Sequence, residues 1–302
     1  MTKAVLDLGT NTFHLLIGKV ENNQLMILNE KRIAVRIGEK GMLAGIITDE
    51  ALERAINCLE DFRKIIDSYK EIEQVQVFAT SAFRNAKNAD FICKTILEKT
   101  GFNVQIISGE DEAQLIFEGV KLSGALQNET ALIVDIGGGS VEFIICNNES
   151  MLWKQSFDIG GLRLMERFHK SDPITNVELK AIDNHLNDEL KELTKSIDVY
   201  KPQILLGSSG AFDTYVDIHL AKQETEPSNH NYTTLPIESF FDIYNELKTK
   251  NRTERLAIPG MIPLRVEMIV GASCITKFLI ENYELKSIIT SKFSLKEGAF
   301  AQ

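Results

Sequence analysis

The chain has 302 residues, 33 of them Lys or Arg and 43 Asp or Glu, for a formal charge of −10. With 44% hydrophobic and 25% charged residues, it has a globular composition long enough for about two domains. The acidic balance excludes a protein that grips nucleic acid or anionic lipid by bulk charge.

The amino terminus lacks the long apolar run of a signal peptide, and no window approaches the ~20 apolar residues of a membrane span. Cys58, Cys93, Cys146 and Cys274 are widely spaced. They suggest neither a zinc knuckle nor a disulfide framework, and the expectation is a cytoplasmic protein with reduced thiols.

In chain order, residues 4–7 read as a strand, 8–12 as a tight turn with Gly9, Thr10, Asn11 and Thr12, and 13–17 as a second strand. A helix opens at Ile47-Thr48 with the stripe Leu52, Ala55, Leu59, Phe62, Ile66 and Tyr69. Residues 77–82 read as a strand ending in a hydroxyl-rich loop, followed by Arg84. A helix runs from Gly109 to about Lys121.

The pattern then starts again. Residues 132–140 repeat the strand, Asp and Gly-rich turn of residues 4–12, and 205–210 repeat the strand and small loop of 77–82, each at an offset of 128. A second helix opens at Ile174-Thr175 with a Thr175/Glu178 capping box and the stripe Leu179, Ile182, Leu186, Leu190 and Leu193. Beyond it lie a polar excursion at 222–234, a helix at 264–281, a strand at 287–290 and a terminal helix at 295–301. Ordered coincidences of this kind indicate one domain duplicated, with the boundary within 123–129. The expected domains are residues 1–124 and 125–302, with the terminal helix packing back on the first.

Strand, Asp, Gly-rich turn and strand form a geometry that handles phosphate. Glycines let backbone N–H groups approach an anion, and hydroxyls add donors. Asp7 and Asp135 each end a strand, where a carboxylate can hold a hard divalent ion such as Mg²⁺ or Mn²⁺. The Rossmann and P-loop motifs are absent, because Gly137-Gly138-Gly139-Ser140 leads into the strand 141–145 and Gly18-Lys19 is followed by Val20.

Glu142 interrupts that strand either as part of a solvated face or as a metal or water ligand. Glu112 falls at the centre of the stripe Leu115, Ile116, Gly119 and Val120, opposite Glu110, Asp111, Gln114, Glu118 and Lys121. A carboxylate there is costly unless it is used or paired. It is either a general base with a raised pKa or half of a structural ion pair. Arg84 is a surface charge or a phosphate grip, and its counterpart in the repeat is Phe212.

Four segments together resemble the exopolyphosphatase/guanosine pentaphosphatase family. They are Asp7-Leu-Gly-Thr-Asn-Thr, Ala79-Thr-Ser-Ala-Phe-Arg, Ile107-Ser-Gly-Glu-Asp-Glu-Ala and Asp135-Ile-Gly-Gly-Gly-Ser-Val-Glu. Gly207-Ser-Ser-Gly, the stretch from Ile262 to Gly271, and Leu295-Lys-Glu-Gly match more loosely. The resemblance implies an α/β, duplicated ribonuclease-H-like fold of the actin-like ATPase type with an interdomain cleft, in the short two-domain form. It also implies metal-dependent hydrolysis of a terminal phosphoanhydride. Glu112 matches the catalytic carboxylate, and Asp135 and Glu142 match acids that position the metal or nucleophile, beside which Asp7 stays the strand-end metal candidate named above. Thr10 to Thr12, Arg84 and Gly137 to Ser140 match phosphate contacts.

The substrate is then polyphosphate or guanosine pentaphosphate, whose base would need a pocket near Ser208, Ser209 and Arg265. A guanosine tetraphosphate sensor without catalysis is the reading from another class, and a homodimer is a candidate assembly. The run Ser291-Lys-Phe-Ser departs from the family pattern, which often has Asp and Gly there, and so has no assigned role.

Overall fold

The computed structural model describes residues 1–22, 24–227 and 229–301. The chain divides into two compact units, Met1–Leu122 with Leu295–Gln302, and Ser123–Ser294.

The first unit runs β1 (Thr2–Leu8), β2 (Thr12–Glu21), β3 (Gln24–Ala34), α1 (Asp49–Asp67), β4 (Ile72–Ala79), α2 (Ser81–Arg84), α3 (Ala89–Thr100), β5 (Gln105–Ile106) and α4 (Gly109–Ser123). Its sheet has the order β3-β2-β1-β4-β5, with β1 to β3 antiparallel and β1, β4 and β5 parallel. β1 is central and almost wholly buried, which is why its stretch from Ala4 to Leu8 reads as an apolar run broken only at Asp7. α1 starts where Thr48 accepts a hydrogen bond from the Ala51 N–H, an N-cap of the ordinary kind. Leu52, Ala55, Leu59, Phe62 and Ile66 pack from it into the core with Phe13, Leu15, Val77 and Phe83.

The second unit runs β6 (Ala131–Ile136), β7 (Val141–Cys146), β8 (Met151–Phe157), α5 (Gly161–Phe168), α6 (Asn176–Glu189), α7 (Lys191–Tyr200), β9 (Ile204–Ser208), α8 (Gly210–Gln223), β10 (Tyr232–Leu235), α9 (Ile237–Thr249), α10 (Arg252–Leu256), α11 (Ile269–Asn282) and β11 (Ser287–Ser291). One more turn, α12 (Leu295–Gly298), belongs to the first unit. The sheet order is β10-β11-β9-β6-β7-β8. The run β8-β7-β6-β9-β11 reproduces β3-β2-β1-β4-β5 in order and in strand direction. The sequence repeat is therefore a topological repeat, and β10 is an addition on the outer edge of the second copy.

The terminal helix expected at 295–301 is the single turn Leu295–Gly298, and three elements of the second unit also differ from the sequence expectation. The second-copy helix is two helices, broken at Leu190, whose φ of −92° and ψ of 18° leave the helical region. The break lets Ile182, Leu186, Leu190, Leu193 and Ile197 all stay in the core as the helical path bends around the sheet. α11 starts at Ile269 rather than 264, because Ile262 to Met268 is folded into successive turns. The polar excursion ends in β10, where Tyr232 to Leu235 pair with β11.

The Thr175/Glu178 box is present. Glu178 accepts hydrogen bonds from the Thr175 N–H and hydroxyl and from the N–H groups of Lys170 and Ser171, at 2.7–2.9 Å. Partial burial opposes ionisation, but these bonds outweigh it and hold the carboxyl at about 2. His169, at the end of α5, moves below its usual range because of burial and the nearby Arg255 charge, and burial lowers His185 too.

Both effects predict acid lability in separate windows. Unfolded histidine takes up its proton near pH 6.5 and the folded imidazoles resist it, so stability is full above that value and falls as pH drops through it. Glu178 contributes above pH 4.5 and loses its contribution as pH falls toward 2. The melting temperature of His169→Gln is expected to change less than wild type between pH 7.5 and 5.5. Glu178→Gln is expected to cost about 1 kcal/mol at neutral pH and to flatten only the lower window. Parallel pH profiles for wild type and both variants would contradict this.

Candidate functional site

Asp7 lies one residue before the end of β1, opposite His14 on β2, and the chain turns through Gly9, Thr10 and Asn11. The turn closes by a hydrogen bond from the Gly9 N–H to the Thr12 carbonyl at 3.1 Å. The loop's own carbonyls are consumed from outside it, since Gly38 N–H donates to Thr10 O and Arg36 N–H to Asn11 O. Thr10 and Thr12 are buried, and the Thr12 hydroxyl has no partner among the described residues. A buried unsatisfied hydroxyl costs about 1–3 kcal/mol, which a ligand or water at the loop would recover.

The repeated turn in the second unit follows the same plan. Gly137 N–H donates to Ser140 O at 3.0 Å. The N-terminus of α5 then takes the glycine carbonyls, with Gly161 N–H on Gly137 O, Leu162 and Arg163 N–H on Gly138 O, and Gly160 N–H with the Arg163 guanidinium on Gly139 O. With its acceptors satisfied, what the turn retains for a ligand is the N–H side of Gly138 and Gly139, the side that suits an anion. The first turns of α5 are spent on the loop and are not themselves an anion site. Gly160 has to be glycine, because a Cβ there would stand 2.5 Å from the backbone of Gly138 and Gly139.

Glu112 lies in the first turn of α4 and is 8% exposed. The surrounding stripe is the one its periodicity predicts, widened by Ala113 and Phe117. Ser108 opens the helix, accepting from the Asp111 N–H and donating to its carboxylate. Arg84, the last residue of the short α2, reaches across to α4, and its Nη1 lies 3.0 Å from Glu112 Oε2 and 3.0 Å from the Ile107 carbonyl oxygen. Two residues with separate expected roles are thus one partly buried ion pair, and the guanidinium offsets the cost of burying the carboxylate. Phe212, the repeat counterpart of Arg84, packs in the core over Gly207. Arg84 is therefore not part of the duplicated scaffold.

Asp135 and Glu142 face one another as a cross-strand pair on β6 and β7. Glu142 is 1% exposed, which excludes the solvated-face reading, because β7 is buried on both sides. Its Oε1 accepts from Ser156 Oγ on β8 at 2.7 Å. Asp135 Oδ2 accepts from Ser208 Oγ at 2.7 Å and Ser294 Oγ at 2.5 Å.

The residues expected near a base pocket have partners of their own. Ser208 is 0% exposed and its hydroxyl is committed to Asp135. The Ser209 hydroxyl is bonded to the Ile136 carbonyl. The buried Arg265 guanidinium lies against Gly210, where a Cβ would be only 1.7 Å from it. The contacts of Ser156, Ser294 and Gly160 are not legible in the sequence, since isolated serines and a Gly pair carry no periodic signal.

Among the described residues, no group of three His, Cys, Asp or Glu side chains is placed to hold a metal ion. The Asp135/Glu142 pair nonetheless suits Mg²⁺, which is commonly bound by one or two carboxylates and completed by water and substrate phosphates. No helix of the described residues is long and apolar enough to cross a membrane.

A model of the Ppx/GppA phosphatase family matches residues 16–302. A bifunctional 3-dehydroquinate synthase/phosphatase of Fusobacterium nucleatum subsp. nucleatum is 31% identical, over 99% of this chain and 46% of its own length. A guanosine-5'-triphosphate,3'-diphosphate pyrophosphatase of Pseudoalteromonas translucida is 28% identical, over 98% of this chain and 58% of its own length. The chain therefore spans about half the length of these two curated relatives. The crystal structure of an exopolyphosphatase from Cytophaga hutchinsonii superposes with a TM-score of 0.96 at 37% identity, covering 100% of this chain and 97% of that one. The two sheets with their helices have the fold of that exopolyphosphatase structure.

Proposed function

Because the chain belongs to the Ppx/GppA phosphatase family, we propose that it hydrolyses the terminal phosphoanhydride of inorganic polyphosphate and releases orthophosphate. The observation that carries this reading is Glu112, a buried carboxylate whose direction is set by Arg84 at 3.0 Å. A phosphoryl group leaves through a loose transition state, so orientation of the attacking water matters more than strong proton abstraction. A carboxylate held by a guanidinium on one oxygen suits that task.

Within the second unit, the N–H groups of Gly138 and Gly139 would meet the terminal phosphate oxygens, and Ser140 would add a donor. Asp135 and Glu142 would hold Mg²⁺ or Mn²⁺, which supplies charge neutralisation at the phosphate oxygens. Positioning and charge neutralisation would then provide most of the acceleration.

Guanosine pentaphosphate is the second reading, favoured by the likeness to the Pseudoalteromonas enzyme. Polyphosphate is preferred because Ser208, Ser209 and Arg265 are engaged within their own unit, so a base has no pocket built from them. Orthophosphate release by purified protein with each substrate, with and without Mg²⁺, tests the choice. Mg²⁺-dependent release from long-chain polyphosphate is expected to exceed that from guanosine pentaphosphate by at least about tenfold, the range a lost pocket contact provides. The reverse ranking would transfer the assignment to the nucleotide, and release from neither would remove it.

A further inference from the structure

Asp135 has a support that the repeat does not predict. Ser208 reaches it from β9, its register partner in the parallel pairing with β6. Ser294 reaches the same oxygen from beyond β11, out of the run whose departure from the family pattern left it without a role.

We infer that Ser294 is a positioning residue for the Asp135 carboxylate, an inference that rests on the phosphohydrolase reading above. Two hydroxyl donors converging on Oδ2 fix the rotation of the carboxylate about its Cβ–Cγ bond. Oδ1 then has one direction, with its lone pairs available to a cation or to water. A carboxylate with a single donor keeps part of that rotational freedom, and a supporting hydrogen bond of this kind commonly changes metal affinity or activity by about 10- to 100-fold.

Ser294 is itself held. The Ser291 hydroxyl donates to Phe293 O and accepts from Phe293 N–H, forming a tight turn that aims the next residue. That turn makes the Ser294 hydroxyl a directed donor and not a surface rotor. Ser208 is placed by sheet pairing, so Ser294 is the part of the support that belongs to the terminal segment.

The test compares Ser294→Ala and Ser294→Thr in the full chain. For Ser294→Ala, kcat on polyphosphate is expected to fall about tenfold with KM within about twofold of wild type. Affinity for Mn²⁺ alone, read from the electron paramagnetic resonance of the free ion without substrate, is expected to fall by about the same factor. Ser294→Thr retains the hydroxyl at a partly exposed position and is expected to recover both. Wild-type Mn²⁺ affinity in the alanine variant would overturn the inference. So would a threonine variant as impaired as the alanine one, which would mark a packing role. If wild type releases no phosphate at all, the enzymatic reading fails, while the Mn²⁺ comparison still decides the role of Ser294.

Discussion

Glu112→Gln is expected to lower turnover on polyphosphate by about 10²- to 10⁴-fold, the range removed with a positioned acid or base group, while KM changes little. The argument is electrostatic and local. The glutamine keeps the shape and an amide oxygen that accepts from Arg84 Nη1, and Arg84 also keeps its bond to the Ile107 carbonyl. The folded pair therefore survives. Only the negative charge is lost, the charge that under the proposed function orients the attacking water. Orthophosphate release under saturating substrate, with a melting curve on the same preparation, separates the two effects. A variant that melts like wild type and still turns over within about threefold of it would reduce Glu112 to a structural partner of Arg84.

The second large effect is expected at a residue with no side chain. Gly160→Ala places a methyl 2.5 Å from Gly138 C, Gly138 O and Gly139 C. All three are backbone atoms, so no side chain can rotate away. The backbone at Gly160 has a φ of −56°, a value open to any residue, so strain of the dihedral does not contribute. What must yield is the glycine turn. Overpacking of this kind costs about 1–3 kcal/mol, and displacement of a binding loop by about 1 Å can cost 10²-fold in rate. Gly137→Ala, whose Cβ would stand 3.1 Å from Ser140 O, is expected to lose less. Measured kcat/KM values in the order wild type, Gly137→Ala, Gly160→Ala would support the packing argument. Equal values for Gly160→Ala and wild type would end it.

Both predictions concern groups that act through neighbours. Glu112 is aimed by Arg84, the glycine turn is braced by α5, and Asp135 is fixed by two serines. In each case a short-range contact sets the direction of a group that would otherwise rotate or drift. Preorganisation of this sort is what phosphoryl transfer needs from a protein.

The amino-acid sequence was enough to identify what depends on local pattern. The duplicated strand, turn and strand follow from alternating apolar runs and glycines, and they reappear as matching halves of two sheets. The start of α1, the Thr175/Glu178 box and the buried stripe around Glu112 follow from spacings of three and four residues. Such features are legible because each is decided within a few residues of itself.

Only the tertiary structure could join Arg84 to Glu112, 28 residues away, or bring Ser208 and Ser294, 73 and 159 residues away, to one oxygen of Asp135. It also decided that Glu142 is buried on a two-sided strand and that Gly160 closes on Gly138. The physical reason is that a hydrogen bond or steric contact between distant segments has no periodicity to read. It is set by how strands pair and helices pack, and a serine that fixes a carboxylate looks in sequence like any other serine.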